Sequence, residues 1–223
     1  SRADSEQKLA YPFRTGWVSW EPFVGWRGTL YGEDRMGHGP RTRSVGTYGA
    51  SASSEFYRTW EAESRLLDMD GLRNVLIPGA NLTVIKQPNT QPADLLQFDE
   101  IDAVDARETV DLTFRSLIQT RRGPTRSPAT FADLGWGTTL FPDANRDNTE
   151  TSRDLSRKVR DFSNVNQNVF LFPRDWITVR SESSYDTYED LLESQKSGLN
   201  LRYGRPTRAA DSAGRYLFSA DMN

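Results

Sequence analysis

Thr109-Val110-Asp111-Leu112-Thr113-Phe114-Arg115-Ser116-Leu117-Ile118-Gln119-Thr120-Arg121 is the most informative stretch of this 223-residue chain. Val110, Leu112, Phe114 and Ile118 share one parity, interrupted by Ser116. Asp111, Thr113, Arg115, Gln119 and Arg121 share the other, with Leu117 as the exception. Successive side chains of a strand point to opposite faces, so this run is a β-strand with one apolar and one polar face. It is long enough to cross a bilayer, which takes about 9–11 tilted residues.

The pattern repeats outward from there. Ala132, Leu134, Trp136 and Leu140 oppose Asp133, Gly135, Gly137 and Thr139. Between the two runs, residues 122–128 carry Gly123, Pro124 and Pro128 and predict a turn whose prolines block further pairing. Toward the N-terminus, Val24, Trp26 and Leu30 oppose Phe23, Gly25, Arg27 and Thr29. Trp60, Ala62 and Leu66 oppose Glu61, Glu63 and Arg65, and Asp70-Gly71 closes a turn before Leu76, Ala80, Leu82 and Val84. Toward the C-terminus, Ile177 and Val179 face away from Thr178, Arg180 and Glu182, while Leu199, Leu201 and Tyr203 oppose Asn200 and Arg202. The expectation is an all-β chain of about nine or ten antiparallel strands.

Connector lengths alternate. Short turns follow Leu67, Arg121 and Phe172, and long polar connectors cover residues 87–107, 142–164 and 185–194. Short turns on one side and long loops on the other are the habit of outer-membrane barrels, so the fold class expected is an antiparallel transmembrane β-barrel. Trp17, Trp20, Trp60, Phe141, Phe170, Phe172, Trp176 and Tyr185 sit near expected strand ends, where interfacial aromatic girdles would place them. Mean hydropathy is −0.69. Such a value fits a soluble protein and a barrel equally, because barrel strands are only half apolar.

The chain begins Ser1-Arg2-Ala3 and stops inside an expected strand, so residues 1–223 are read as one barrel-domain segment of a longer chain. No apolar run approaches the roughly 20 residues of a spanning helix. A net charge of −3 gives no basic field for nucleic acid. Cysteine is absent, which removes thiolate metal sites, and the single histidine, His38, argues against a histidine-rich metal site or an intrachain Ser-His-Asp triad. Asp99, Glu100, Asp102 and Asp105 gather four carboxylates. Their spacing does not match a calcium loop, and a solvated acidic loop is the simpler account. Residues 31–49, with Gly32, Gly37, Gly39, Gly46 and Gly49, lack the lysine of a phosphate-binding loop and read as a flexible connector. Arg121, Arg122 and Arg126 form a small basic turn. Leu155, Val159 and Phe162 fall at helical spacing, predicting a short amphipathic helix over residues 152–162 in a long loop. Asn81-Leu82-Thr83 matches a glycosylation pattern, accidental in a bacterial barrel. No catalytic residue, metal site or cofactor is expected, and the chain is not read as an enzyme.

Several segments together resemble one family. Leu72-Arg73-Asn74-Val75-Leu76-Ile77-Pro78 is similar to the arginine-to-proline strand motif of the lipopolysaccharide-assembly outer-membrane proteins, also called the organic solvent tolerance protein family. Phe98-Asp99-Glu100-Ile101-Asp102, then residues 110–122, then Phe141-Pro142-Asp143 with Arg146-Asp147-Asn148, and finally Ser184-Tyr185-Asp186 follow in that family's order. The resemblance spans most of residues 20–223 and rests on order more than identity. Asn74 departs from it, since the family often carries histidine there. What the resemblance implies is a large barrel of about 26 strands around a plug lipoprotein, inserting lipopolysaccharide into the outer leaflet of the bacterial outer membrane.

On the barrel reading, Arg27, Glu61, Glu63, Arg65, Asp111, Arg115, Asp133, Arg180, Glu182 and Arg202 face the lumen. There they would meet the plug lipoprotein or passing lipopolysaccharide. Val110, Leu112, Phe114, Leu134, Trp136, Leu199 and Leu201 face outer-membrane lipids. The competing classes are a passive porin, a soluble β-sandwich such as a capsid jelly roll, and a carbohydrate-active enzyme using Asp99 and Asp102.

Overall fold

The alternating segments pair as antiparallel strands. The computed structural model describes residues 2–32, 39–92, 95, 104–148, 159–202 and 216–222, the last stretch as backbone. The strands in chain order are β1 (Arg2–Ala10), β2 (Phe13–Thr15), β3 (Val18–Tyr31), β4 (Arg41–Ser54), β5 (Phe56–Ser64), β6 (Met69–Ile85), β7 (Arg107–Arg122), β8 (Ser127–Leu140), β9 (Val165–Arg174), β10 (Ile177–Asp186), β11 (Leu191–Arg202) and β12 (Tyr216–Met222). One four-residue helix, α1 (Ala144–Asp147), follows β8. The sheet runs β1-β3-β4-β6-β7-β8-β9-β10-β11-β12, with β2 also on β3 and β5 also on β6. Twelve segments therefore occupy ten positions, which accounts for the expected nine or ten strands. No pairing joins β1 to β12 among the described residues.

β3, β4 and β8 are 14 residues long, β7 is 16 and β6 is 17. Globular strands usually run about 3–10 residues. The chain groups into two compact units: residues 1–54, 79–112 and 139–163 form unit 1, and residues 55–78, 113–138 and 164–223 form unit 2.

In unit 1, directly paired residues share a face. Val24 pairs with Leu9 and Tyr48, Tyr48 with Val84, and Ala50 with Leu82. This face is apolar, and it is open: Val24 is 56 % exposed, Trp26 49 % and Leu30 57 %. The opposite face carries Arg27 against Val45, Thr29 against Arg43, and Ser51 against Asn81. Thr29 and Arg43 are 3 % and 2 % exposed there, beside buried Tyr31 and Val45. Around Thr29 and Arg43 the polar face is thus the covered one, the reverse of a water-soluble sheet.

In unit 2 the chemistry separates by face in the same way. Leu134 pairs with Val169, Leu171 with Val179, and Val179 with Leu199. Asp133, Asn168, Glu182 and Lys196 lie on the other side through the pairs Gly135–Asn168, Glu182–Asn168 and Glu182–Lys196. Burial does not separate these faces. Val75 and Ala132 are buried, but so are the polar Ser116, Thr120 and Arg122.

Several expectations are corrected. The glycine-rich stretch is a strand over most of its described length, because β4 takes up Arg41 onward. Its small residues are poor strand formers alone, but Gly49 sits under a large neighbour: the Phe23 ring lies close to where its Cβ would go. Residues 185–194 are not a long loop. β10 and β11 meet at a four-residue turn, 187–190, in which Asp190 takes φ 53° and the Asp186 carboxylate accepts the Tyr188 and Glu189 N–H groups. Short and long connectors therefore alternate only as far as β10. The turn after β7 covers residues 123–126, and Pro128 lies inside β8. The turn after β5 covers residues 65–68 rather than 68–71, so Arg65 is a turn residue. The described helix is α1. Phe162 belongs to an antiparallel bridge with Leu140, and residues 152–158 of the expected helix lie outside the described residues. His38, Tyr203 and residues 98–102 also lie outside them.

Candidate functional site

Alternation puts the expected lumen-facing residues on the polar faces, and cross-strand pairing brings partners to them. In unit 1, Arg27 donates from Nη2 to Asp4 Oδ2 at 2.6 Å, lies 3.5 Å from Glu6, and shares Asp4 with the Thr29 hydroxyl. Asp111 accepts from Thr139 Oγ1 at 2.8 Å and from Asn81 Nδ2 at 3.3 Å, while Asn81 Oδ1 accepts from Ser51 at 3.0 Å. A polar ladder thus crosses four strands on one face. Sequence reasoning missed Asp4 and Asn81 as members. Asp4 lies on β1, whose Ala3, Ser5 and Gln7 supply no apolar alternation to notice.

In unit 2, Arg115 clasps Asp133 through Nε–Oδ1 at 2.8 Å and Nη2–Oδ2 at 2.5 Å. Asp133 and Arg180 both pair with Phe170. Phe170, expected in a girdle near a strand end, instead sits within β9 among these charges. Gly135 is directly opposite Asn168, and a Cβ there would collide with the Asn168 carboxamide. Glycine is what admits that amide to the face. Glu182 lies between Asn168 and Lys196, and Arg202 pairs with Tyr216 beyond a shift in the β11–β12 register.

Glu61 and Glu63 are separated by an irregularity in the β5–β6 register, and Glu63 pairs with Asp70 beyond it. Both glutamates line an open depression of about 730 Å³ that also includes Trp60, Arg73 and Arg121. Asp70 forms an ion pair with Arg126 there, at 2.8 Å. Arg65 is not on this surface as a strand residue; its carbonyl accepts from Arg174 Nη2 at 2.7 Å. Arg174 also donates to the Leu66 carbonyl at 2.7 Å. The buried Arg122 bonds the Phe172 carbonyl and, at 2.9 Å, Asp175.

The expected lipid-facing residues cluster on the opposite side. Phe114 and Trp136 meet with ring centroids 5.7 Å apart, and Leu199 and Leu201 stand opposite Val179 and Ile177. Trp17 and Trp176 lie in short turns and are well exposed. Phe141, by contrast, is buried beside α1. Within that connector, Asp147 holds Arg146, raising the guanidinium pKa further by its hydrogen bond. Asn148 Nδ2 donates to the Arg160 carbonyl at 2.9 Å.

Chemically, these polar faces offer paired charges, hydroxyls and carboxamides spread over a wide surface. No cluster of three or more metal-binding side chains occurs among the described residues, and no described helix is long and apolar enough to cross a membrane. No protein-family model matches the chain, and none of the curated proteins does.

Proposed function

We propose that this chain is part of the wall of a bacterial outer-membrane β-barrel and that the barrel delivers lipopolysaccharide to the outer leaflet. One observation carries the wall: in unit 1 the apolar Val24, Trp26 and Leu30 are open while Thr29, Tyr31, Arg43 and Val45 on the opposite, polar face are buried. Val24, Trp26 and Leu30 would form a large apolar patch in water, a liability for a soluble sheet and an asset against lipid. Strands of 14–17 residues support the same reading. A sandwich would need a second sheet over the apolar side.

The cargo rests on the ordered segments that resemble the lipopolysaccharide-assembly proteins. On the polar face of unit 2, Arg115, Arg180 and Lys196 supply cations for phosphorylated saccharide, and a plug lipoprotein would face that surface. The wall is tested by fractionation: the chain should stay in the membrane pellet through alkaline washing and leave it only with detergent. Release by alkali would overturn it. A photocrosslinking residue at Glu182 tests the cargo. Lipopolysaccharide adducts support it, whereas adducts to phospholipid alone would make the barrel a passive pore.

A further inference from the structure

The face of β8–β11 that carries Leu134 does not stay apolar along its length. On β8 it is apolar through Trp136, after which come Thr138 and, as the last residue of the strand, Leu140. On β9 it is apolar through Val169, and the next residue of that face is Gln167. On β10 it ends at Val179, followed by Ser181 and Ser183; on β11 it ends at Leu199, followed by Ser197 and Gln195. Paired rows make the change visible. Leu171–Val179–Leu199 is wholly apolar, Val169–Ser181–Ser197 is mixed, and Gln167–Ser183–Gln195 is wholly polar. Ser181 and Ser197 meet across the mixed row, Oγ to Oγ, at 3.4 Å. The next row, Val165, Tyr185 and Leu192, is apolar and aromatic again; it ends the three strands beside the turn at 187–190, beyond a register shift after Ser184, and the Tyr185 hydroxyl donates to Asp190.

The limit is oblique. It moves two residues from β8 to β9, two from β9 to β10, and none from β10 to β11. Four residues at about 3.3 Å, over three strand spacings of about 4.8 Å, give a slope of roughly 40–45°. Strands of outer-membrane barrels tilt by about 35–45° from the membrane normal. A level boundary crossing strands so tilted would appear as this slope in the register.

We infer that the hydrocarbon of the bilayer ends at the Ser181–Ser197 row, and that Gln167, Ser183 and Gln195 face the hydrated lipid headgroup layer. The inference rests on the membrane-wall proposal and places one edge of its hydrocarbon-facing band. Hydroxyls and carboxamides there bond to headgroup oxygens and water, so no polar group is left in hydrocarbon.

The chain has no cysteine, so single cysteines are unique labels. Spin labels at V179C, L199C, S183C and Q195C, in the full chain refolded into phosphatidylcholine vesicles, are compared for collisions with oxygen and with a water-soluble nickel chelate. Expected is an oxygen-to-nickel ratio at 179 and 199 at least fivefold above that at 183 and 195. If all four sites are oxygen-rich and nickel-poor, the boundary is overturned while the wall stands. If all four are nickel-rich, the wall itself falls. If 183 and 195 are shielded from both reagents, protein covers them, and the headgroup assignment is wrong.

Discussion

Arg115 and Asp133 form a two-point ion pair between β7 and β8, with both guanidinium bonds at or below 2.8 Å. Arg115 remains 54 % exposed, so water screens much of the attraction. A double-mutant cycle with Arg115→Ala and Asp133→Ala, read by urea unfolding in vesicles, should return a coupling of about 0.5–1 kcal/mol. A coupling several times larger would place the pair in a far drier setting than a hydrated lumen.

Leu112 and Thr113 are neighbours in sequence with opposite fates. Leu112→Arg puts a guanidinium into lipid and should cost about 2–4 kcal/mol near the bilayer midplane. Thr113→Arg points to the polar side and should cost well under half as much. Equal costs in the same unfolding titration would count against membrane placement.

Ser116 interrupts the apolar alternation of β7, and its hydroxyl donates to Asn74 Oδ1 on β6 at 2.9 Å. Ser116 is buried, so Ser116→Ala strands a carboxamide oxygen and should cost about 1–3 kcal/mol. Removing both polar groups, with Asn74→Leu added, should recover most of the loss. Thermal or urea unfolding of the single and double variants checks this.

Gly49 and Gly46 lie three residues apart on β4 and should respond oppositely to alanine. A Cβ on Gly49 would strike the Leu82 carbonyl oxygen and the Phe23 ring, and the backbone atom cannot step aside. Gly49→Ala should destabilise by about 1–3 kcal/mol. Nothing lies within 4 Å of a Cβ on Gly46. Gly46→Ala should be neutral or stabilising by up to about 1 kcal/mol.

These contrasts show which parts of the fold the sequence carried. The β7–β8 hairpin was legible because Val110, Leu112 and Phe114 alternate with charged and hydroxylic residues, and a face is decided by parity alone. β4 was not, because Gly46, Gly49, Ala50 and Ala52 say little without the Phe23 side chain from the neighbouring strand. Residues 185–194 read as a loop because acidic and hydroxylic residues are common in connectors. Here they pair across a turn fixed by Asp186 and Asp190. For the candidate site, parity put Asp133 and Arg115 on one side but could not name them partners. That requires the register, which the turn geometry at residues 123–126 sets.

Arg174 ties the carbonyls of Arg65 and Leu66 across 109 and 108 residues of sequence. Such a clasp has a kinetic consequence. Closing so long a loop is entropically slow and can occur only after β9 has been placed, so the tip of the β5–β6 hairpin is fastened late in assembly. Until then the tip is free to open, and its amides should exchange with solvent on a faster clock than the strands beneath it. The Arg174 clasp therefore marks a late step in the order in which this sheet becomes rigid.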